Sequence, residues 1–194
     1  MGEDLYIFDM GNVLVTHIDI IEPIIEKLDL PAEEFREDYL LHSFPMMDGT
    51  LPTADYLHHM EVRFGVTINE DILCTCFTPV YNETIAALLK LLRETGKRVV
   101  CGTNTYDSHY RYLEEHGFFR YFDTVYASHL MGVSKPDPEF FLRILESEHV
   151  SPEDTLFIDD YLENVRAALS LGMRALHYTE DTETDDLYRF CGIR

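Results

Sequence analysis

Leu5-Tyr-Ile-Phe-Asp-Met-Gly-Asn-Val-Leu-Val15 runs four apolar residues into one aspartate and then a Gly-Asn pair. An apolar run this short, bounded by turn residues, predicts a buried strand with Asp9 at its carboxyl end. In open parallel sheets, ligands bind in the crevice beyond such ends. A carboxylate placed there serves as nucleophile, metal ligand or both. Taken alone, Asp before Gly-Asn is also ordinary turn chemistry; the residues downstream decide between the two.

Beyond Val15 the spacing turns helical. Ile21, Ile24, Ile25 and Leu28 fall at i, i+3, i+4 and i+7, with Asp19 as the expected N-cap. Pro31-Ala-Glu-Glu opens a second helix, its acids suited to the positive end of the helix dipole. A third is predicted over residues 53–64, with Tyr56, Leu57, Met60 and Phe64 on one side and Gly65 as its stop. No strand is expected among these helices before about residue 80, so residues 16–81 read as a helical insertion over the site. Within it, Met46-Met47 with Phe44 and Tyr56 would line either the substrate side or the insertion's own core. His58-His59 read as its surface.

From Asn82 the alternation of an α/β sheet takes over. Helices are predicted over 83–95, 107–116 and 162–171, with another starting at Asp137-Pro138. Strands are predicted over 98–102, 124–127, 155–159 and 173–178. Residues 179–186 are acidic and aperiodic and read as a solvated tail. The expected division is a core of residues 1–15 and 82–194 with the insertion 16–81 between its halves.

Three further polar clusters stand at predicted strand ends or in the loops after them: Thr103-Asn104, Ser134-Lys135-Pro136 and Asp159-Asp160. In a parallel sheet these ends share one edge. A carboxylate, a hydroxyl, a lysine and an acidic pair gathered there suit phosphoryl transfer. The hydroxyl and ammonium hold phosphate oxygens, and the carboxylates hold a hard cation such as Mg²⁺.

The order Asp-x-x-x-Val, Thr-Asn, Lys-Pro, Asp-Asp resembles the haloacid dehalogenase superfamily in its phosphatase branch, over about Asp4 to Tyr178. That resemblance implies a Rossmann-like core with a helical cap inserted after the first strand, and a role for each matching residue. Asp9 would attack phosphorus and form an aspartyl-phosphate. Thr103 would hydrogen-bond the phosphate, Asn104 would order that loop, and Lys135 would offset negative charge on nucleophile and phosphate. Asp160 would ligate Mg²⁺, with Asp159 in support and with Asp9 and the backbone carbonyl of Gly11 completing the ligand set.

At one position the chain departs from the pattern. Most phosphatases of this family carry a second aspartate two residues after the nucleophile as general acid and base; here that position is Gly11. General acid-base help supplies ~10²–10⁴ in rate, whereas phosphomonoester hydrolysis is accelerated by up to ~10²¹. The loss therefore weakens catalysis without abolishing it, and water on the metal or a group such as His17 is a candidate substitute. Phe8-Asp-Met-Gly-Asn-Val-Leu-Val15 also resembles a bacterial branch that includes glucose-1-phosphate phosphatases. The expected function is Mg²⁺-dependent hydrolysis of a small phosphorylated metabolite, a sugar phosphate. Two alternatives stand beside it. One is a 2-haloacid dehalogenase-type hydrolase, which lacks the second aspartate and needs no metal; Asp159-Asp160 speaks against it, because an acidic pair beside Asp9 is costly without a cation. The other is a catalytically weak binding protein, supported by Gly11 alone.

Composition bounds the rest. A hydrophobic content of 46% supports a packed core. Fifteen Lys and Arg against 36 Asp and Glu give a net charge of −21, which argues against nucleic acid and against anionic membrane surfaces as partners. It leaves room for a small phosphate ester, since exposed charges are screened beyond ~8 Å. Cys74-Thr-Cys76 is too tight and isolated for a zinc site, and the nine histidines show no HExxH spacing. With no secretory leader and no membrane-length apolar run, the chain is expected to be cytoplasmic. Its oligomeric state is left open.

Overall fold

A computed structural model of the protein describes residues 3–193. β1 (Leu5–Phe8) is buried along its whole length, as a strand covered on both faces must be. Its side chains alternate, Leu5 and Ile7 facing one apolar layer and Tyr6 and Phe8 the other. After β2 (Val15–Thr16) come α1 (Ile21–Leu28), α2 (Ala32–Met47), α3 (Thr53–Phe64) and α4 (Ile72–Thr75). β3 (Val80–Tyr81) then returns antiparallel to β2. The remaining order is α5 (Glu83–Glu94), β4 (Arg98–Thr103), α6 (Asp107–Glu115), β5 (Thr124–Ala127), α7 (Ser128–Met131) and α8 (Pro138–Glu148). It finishes with β6 (Thr155–Asp159), α9 (Leu162–Ser170), β7 (Arg174–His177) and α10 (Thr184–Phe190).

The main sheet has five strands in the order β5-β4-β1-β6-β7, every neighbour parallel. The chain winds outward from β1 through β4 to β5, then crosses back to β6 and β7. The winding reverses between β1 and β6, the point where a parallel sheet opens a crevice at its carboxyl edge.

The helices α5 and α8 sit where their apolar stripes demand. In α5, Ile85, Leu88, Leu89 and Leu92 are fully buried at the expected helical spacing, and the Asn82 side chain caps the helix by accepting from the Ile85 N–H. On the opposite face Phe140, Phe141 and Ile144 of α8 pack on Leu5, Ile7 and Phe157. The Phe141 and Phe157 rings meet edge-on at 5.0 Å. Burial of one such side chain contributes ~1.5–3 kcal/mol. Gly102 in β4 lets the layers close: a Cβ there would lie 2.9 Å from Ile7 Cγ2.

Several expectations are corrected. Residues 179–186 are not all tail, because α10 starts at Thr184 and buries Leu187 and then Cys191 one turn later, with Cys191 O accepting from Tyr6 Oη at 3.3 Å. Asp19 is not the N-cap of α1; Ile20 is, although Asp19 Oδ1 accepts from the Ile21 N–H at 2.9 Å. His59 is not simply surface, since its Nε2 lies 2.9 Å from Oδ1 of the buried Asp38. Arg63 Nε approaches the same oxygen at 3.0 Å and supplies the countercharge. Among the Met46-Met47 group, Met46 and Tyr56 are buried and Phe44 is exposed. Among the described residues no helix is long and apolar enough to cross a membrane.

Candidate active site

β1 delivers Asp9 to the sheet's carboxyl edge, with its backbone N–H held by Ile158 O at 2.9 Å. β4 ends at Thr103, β6 ends at Asp159, and the loop after α7 brings in Lys135. The four clusters read from the sequence therefore meet, and Lys135 is their centre. Its Nζ donates to Asp9 Oδ1 at 2.8 Å and to Asp159 Oδ2 at 2.6 Å. It is 1% exposed, against the faces of Phe157 and Phe140. Burial alone would lower its pKa, but Asp159 and Asp9 outweigh that and hold the ammonium above its ordinary value. Burial pushes the Asp9 carboxyl up to about 7, against the opposing pull of Lys135 and helped by the Asp159 charge.

Asn104 fixes that lysine through its backbone. Its Nδ2 donates to Lys135 O and its Oδ1 accepts from the Lys135 N–H, both at 2.8 Å. Thr103 is buried, and its hydroxyl has no hydrogen-bond partner among the described residues. Asp159 is spent on protein donors: besides Lys135, its carboxylate accepts from the Tyr161 N–H at 2.8 Å and from Asn164 Nδ2 at 2.9 Å. Asp160 is freer. Its Oδ2 accepts one bond, from Asn12 Nδ2 at 3.0 Å, and burial leads the rise of its pKa.

Asp9, Asp159 and Asp160 each present an oxygen within 4.8 Å of the others. Three carboxylates against one lysine leave an excess of buried negative charge. That donor set fits a hard divalent cation. Asp9 and Asp160 have the capacity to hold it, while Asp159 anchors Lys135.

Some contributors went unread in the sequence. Asn12 sits at φ 52°, a left-handed conformation that Asn tolerates, and from there reaches Asp160. Gly-Asn after the strand was the available signal, and only the turn was read from it. Ser128, fully buried, accepts from the Thr105 N–H at 3.0 Å and donates to Thr105 O at 3.1 Å. His177 donates from Nε2 to Asp160 O at 2.9 Å. Neither of these last two carries a local sequence signal. At the position of the missing acid, a Cβ on Gly11 would lie 2.8 Å from Ile18 Cδ1, the terminal methyl of a half-buried side chain. His17 is exposed beside the site, its Nδ1 3.1 Å from Thr16 Oγ1.

The carboxylate–lysine–carboxylate centre lies at the switch point of a parallel sheet of Rossmann-like architecture. A family model for haloacid dehalogenase-like hydrolases matches residues 3–172, and the chain belongs to that family. It is 33% identical over 185 residues to the sesquiterpene phosphatase astK of Aspergillus oryzae, across 92% of this chain and 91% of that one. It is 40% identical over 52 residues to the D-ribitol-5-phosphate phosphatase of Bacteroides thetaiotaomicron, across 27% of this chain and 25% of that one. Its fold is shared by a haloacid dehalogenase-family enzyme of B. thetaiotaomicron crystallised with magnesium and inorganic phosphate. That match has a TM-score of 0.83 and 24% identity, over 97% of this chain and all of that one. The chain is an enzyme, a hydrolase of the phosphatase type.

Proposed function

We propose that the protein hydrolyses a small phosphorylated metabolite through an aspartyl-phosphate on Asp9, with Mg²⁺ held by Asp9, Asp160 and the Gly11 carbonyl. The observation that carries this reading is the geometry of Asp9. Lys135 holds its Oδ1 at 2.8 Å, while Oδ2 accepts no hydrogen bond among the described residues and is available to attack. In the first step a carboxylate oxygen of Asp9 forms a bond to phosphorus, the phosphorus–ester oxygen bond breaks, and the alkoxide leaves as the alcohol after taking a proton. Water then attacks the aspartyl-phosphate, releasing inorganic phosphate and restoring Asp9. Lys135 keeps its charge throughout and offsets that of the phosphoryl oxygens. Thr103 donates to one of those oxygens, and Asn104 keeps the Lys135 loop in place. A bound Mg²⁺ supplies further charge neutralisation on the phosphate.

Residues 16–81 act in this reading as a cap. The β2–β3 ribbon at its base, with Asn82 N–H donating to Leu14 O at 2.8 Å, is the hinge across which it excludes water. A sugar phosphate is the substrate suggested by the likeness of residues 8–15 and by the ribitol-phosphate relative. The longer match, to a sesquiterpene phosphatase, suggests an apolar alcohol instead.

Phosphate release from p-nitrophenyl phosphate, with Mg²⁺ and with a chelator, tests the chemistry in the parent and in Asp9→Asn. Turnover that needs both Mg²⁺ and Asp9 is expected. Turnover retained by Asp9→Asn overturns the aspartyl-phosphate, and turnover indifferent to the chelator overturns the metal.

A further inference from the structure

Beside Asp9 a cavity of about 400 Å³ opens between the sheet edge and α2, a size within the ~300–1,000 Å³ of small-ligand sites. Thr103 and Asn104 form its phosphate end. Much of its wall is hydrocarbon: Val15 and Ile18 after the first loop, Met47 of α2, Phe77, and Leu113 of α6. Gly11 belongs to the same lining, and a Cβ there would lie 2.8 Å from Ile18 Cδ1, so this apolar surface reaches the loop that follows the nucleophile.

The polar groups deeper in the lining are already engaged with one another. Tyr39 Oη and Tyr106 Oη lie 3.0 Å apart, Tyr106 Oη lies 3.0 Å from His109 Nε2, and that nitrogen lies 3.1 Å from Leu73 O. The His109 ring is stacked on Phe77, centroids 3.9 Å apart. Burial holds His109 down to about 3, so it stays neutral. Of the other polar side chains of the lining, Asn12, His17 and Asp19 are exposed, Asn12 already donating to Asp160, and Thr105 is buried next in sequence to the phosphate-end pair Thr103 and Asn104. A polyol hydroxyl placed against Val15, Ile18, Met47 or Leu113 would lose its hydration without gaining a partner, about 5- to 150-fold in affinity apiece. A methylene in the same place gains about fourfold.

We propose that this cavity receives the apolar skeleton of a phosphorylated alcohol, an alkyl or prenyl monoester, rather than a sugar or polyol phosphate. The inference rests on the phosphatase reading and names its substrate class. Val15, Ile18, Met47, Phe77 and Leu113 are the specificity-determining surface.

The test is kcat/KM for ethyl, butyl, hexyl and octyl phosphate, below their aggregation limits, against ribitol 5-phosphate and glucose 1-phosphate. Binding of octyl phosphate and of inorganic phosphate to Asp9→Asn is measured alongside by calorimetry. We expect a rise of up to about fourfold per methylene until the cavity fills, placing octyl phosphate about 100-fold or more above either polyol ester. Octyl phosphate should also bind Asp9→Asn more tightly than inorganic phosphate does. Met47→Gln, near-isosteric at a half-buried position, should flatten the chain-length slope. A flat or falling slope, or a polyol ester turned over faster than octyl phosphate, overturns the assignment while leaving the phosphatase reading intact. If no ester is hydrolysed, that reading fails and binding decides: octyl phosphate held no tighter than inorganic phosphate overturns the apolar pocket, and tighter binding supports it.

Discussion

Replacing Lys135 by methionine removes the one cation from the centre of the site and keeps its volume. Two contacts vanish, to Asp9 at 2.8 Å and to Asp159 at 2.6 Å. Asp9 is 8% exposed and Asp159 is 0% exposed, so neither carboxylate can replace the ammonium with bulk water. Breaking a buried pair from one side costs ~3–5 kcal/mol, because the charge left behind is uncompensated. In a chain of this length each kcal/mol moves Tm by ~2–4 °C, so a fall of roughly 6–20 °C is expected. Urea and thermal unfolding in the presence of chelator, which removes any competing cation, measure it. The pH dependence gives a second check. Without the lysine, the buried carboxylates hold protons more tightly in the folded than in the unfolded chain. The variant then gains stability as pH falls, and its deficit against the parent should shrink between pH 8 and pH 5.5. A deficit below about 1 kcal/mol, well short of a one-sided buried-pair loss, or one that widens on acidification, would refute the reasoning.

Further expectations concern the same neighbourhood. Gly11→Asp requires the terminal methyl of Ile18, 2.8 Å from the new Cβ, to move aside, so the double variant is the cleaner test. With Ile18→Ala added, turnover of esters with poor leaving groups should rise toward the ~10²–10⁴ that general acid-base help supplies, and the dependence on leaving-group pKa should flatten; an unchanged dependence refutes the view that the missing acid limits the rate. Asn104→Ala strips both backbone bonds from Lys135 and should cost ~1–3 kcal/mol in stability and lower kcat, read from urea midpoints and steady-state kinetics. His109, held down to about 3 by burial, stays neutral in the folded chain while the unfolded chain protonates near its ordinary ~6.5. Its contribution to stability is therefore complete above pH ~6.5 and is lost as pH falls toward 3. The ring is partly open to the cavity, which softens the effect. Urea midpoints at pH 7 and pH 4.5 should converge more in His109→Gln than in the parent.

What the sequence made legible follows from how local each signal is. Asp9, Thr103-Asn104 and Asp159-Asp160 stand at strand ends and Lys135 in the loop after one, each beside a run whose period declares its element, and parallel topology then forces them onto one edge. Thus the α/β core was readable along with the meeting of these side chains at one edge. The insertion's helices were readable for the same reason, since Ile21 to Leu28 and Tyr56 to Phe64 keep a helical stripe. Other features depend on partners distant in the chain. Asn12 finds Asp160 across 148 residues, and Asp38 becomes a buried ion-pair centre only when α3 brings His59 and Arg63 beside it. α10 hid behind its acidic first turn, Asp185 and Asp186, although Leu187 and Cys191 are spaced to bury one face. The substrate pocket is the limiting case. Val15 with Ile18, Met47, Phe77 and Leu113 come from four separate places, and each alone reads as core. Only their convergence around a cavity next to Asp9 turns core-like residues into a specificity surface. In the proposed reaction the alcohol that leaves phosphorus must first fit among them, so the residues at the strand ends would carry the reaction while the scattered apolar walls select what undergoes it.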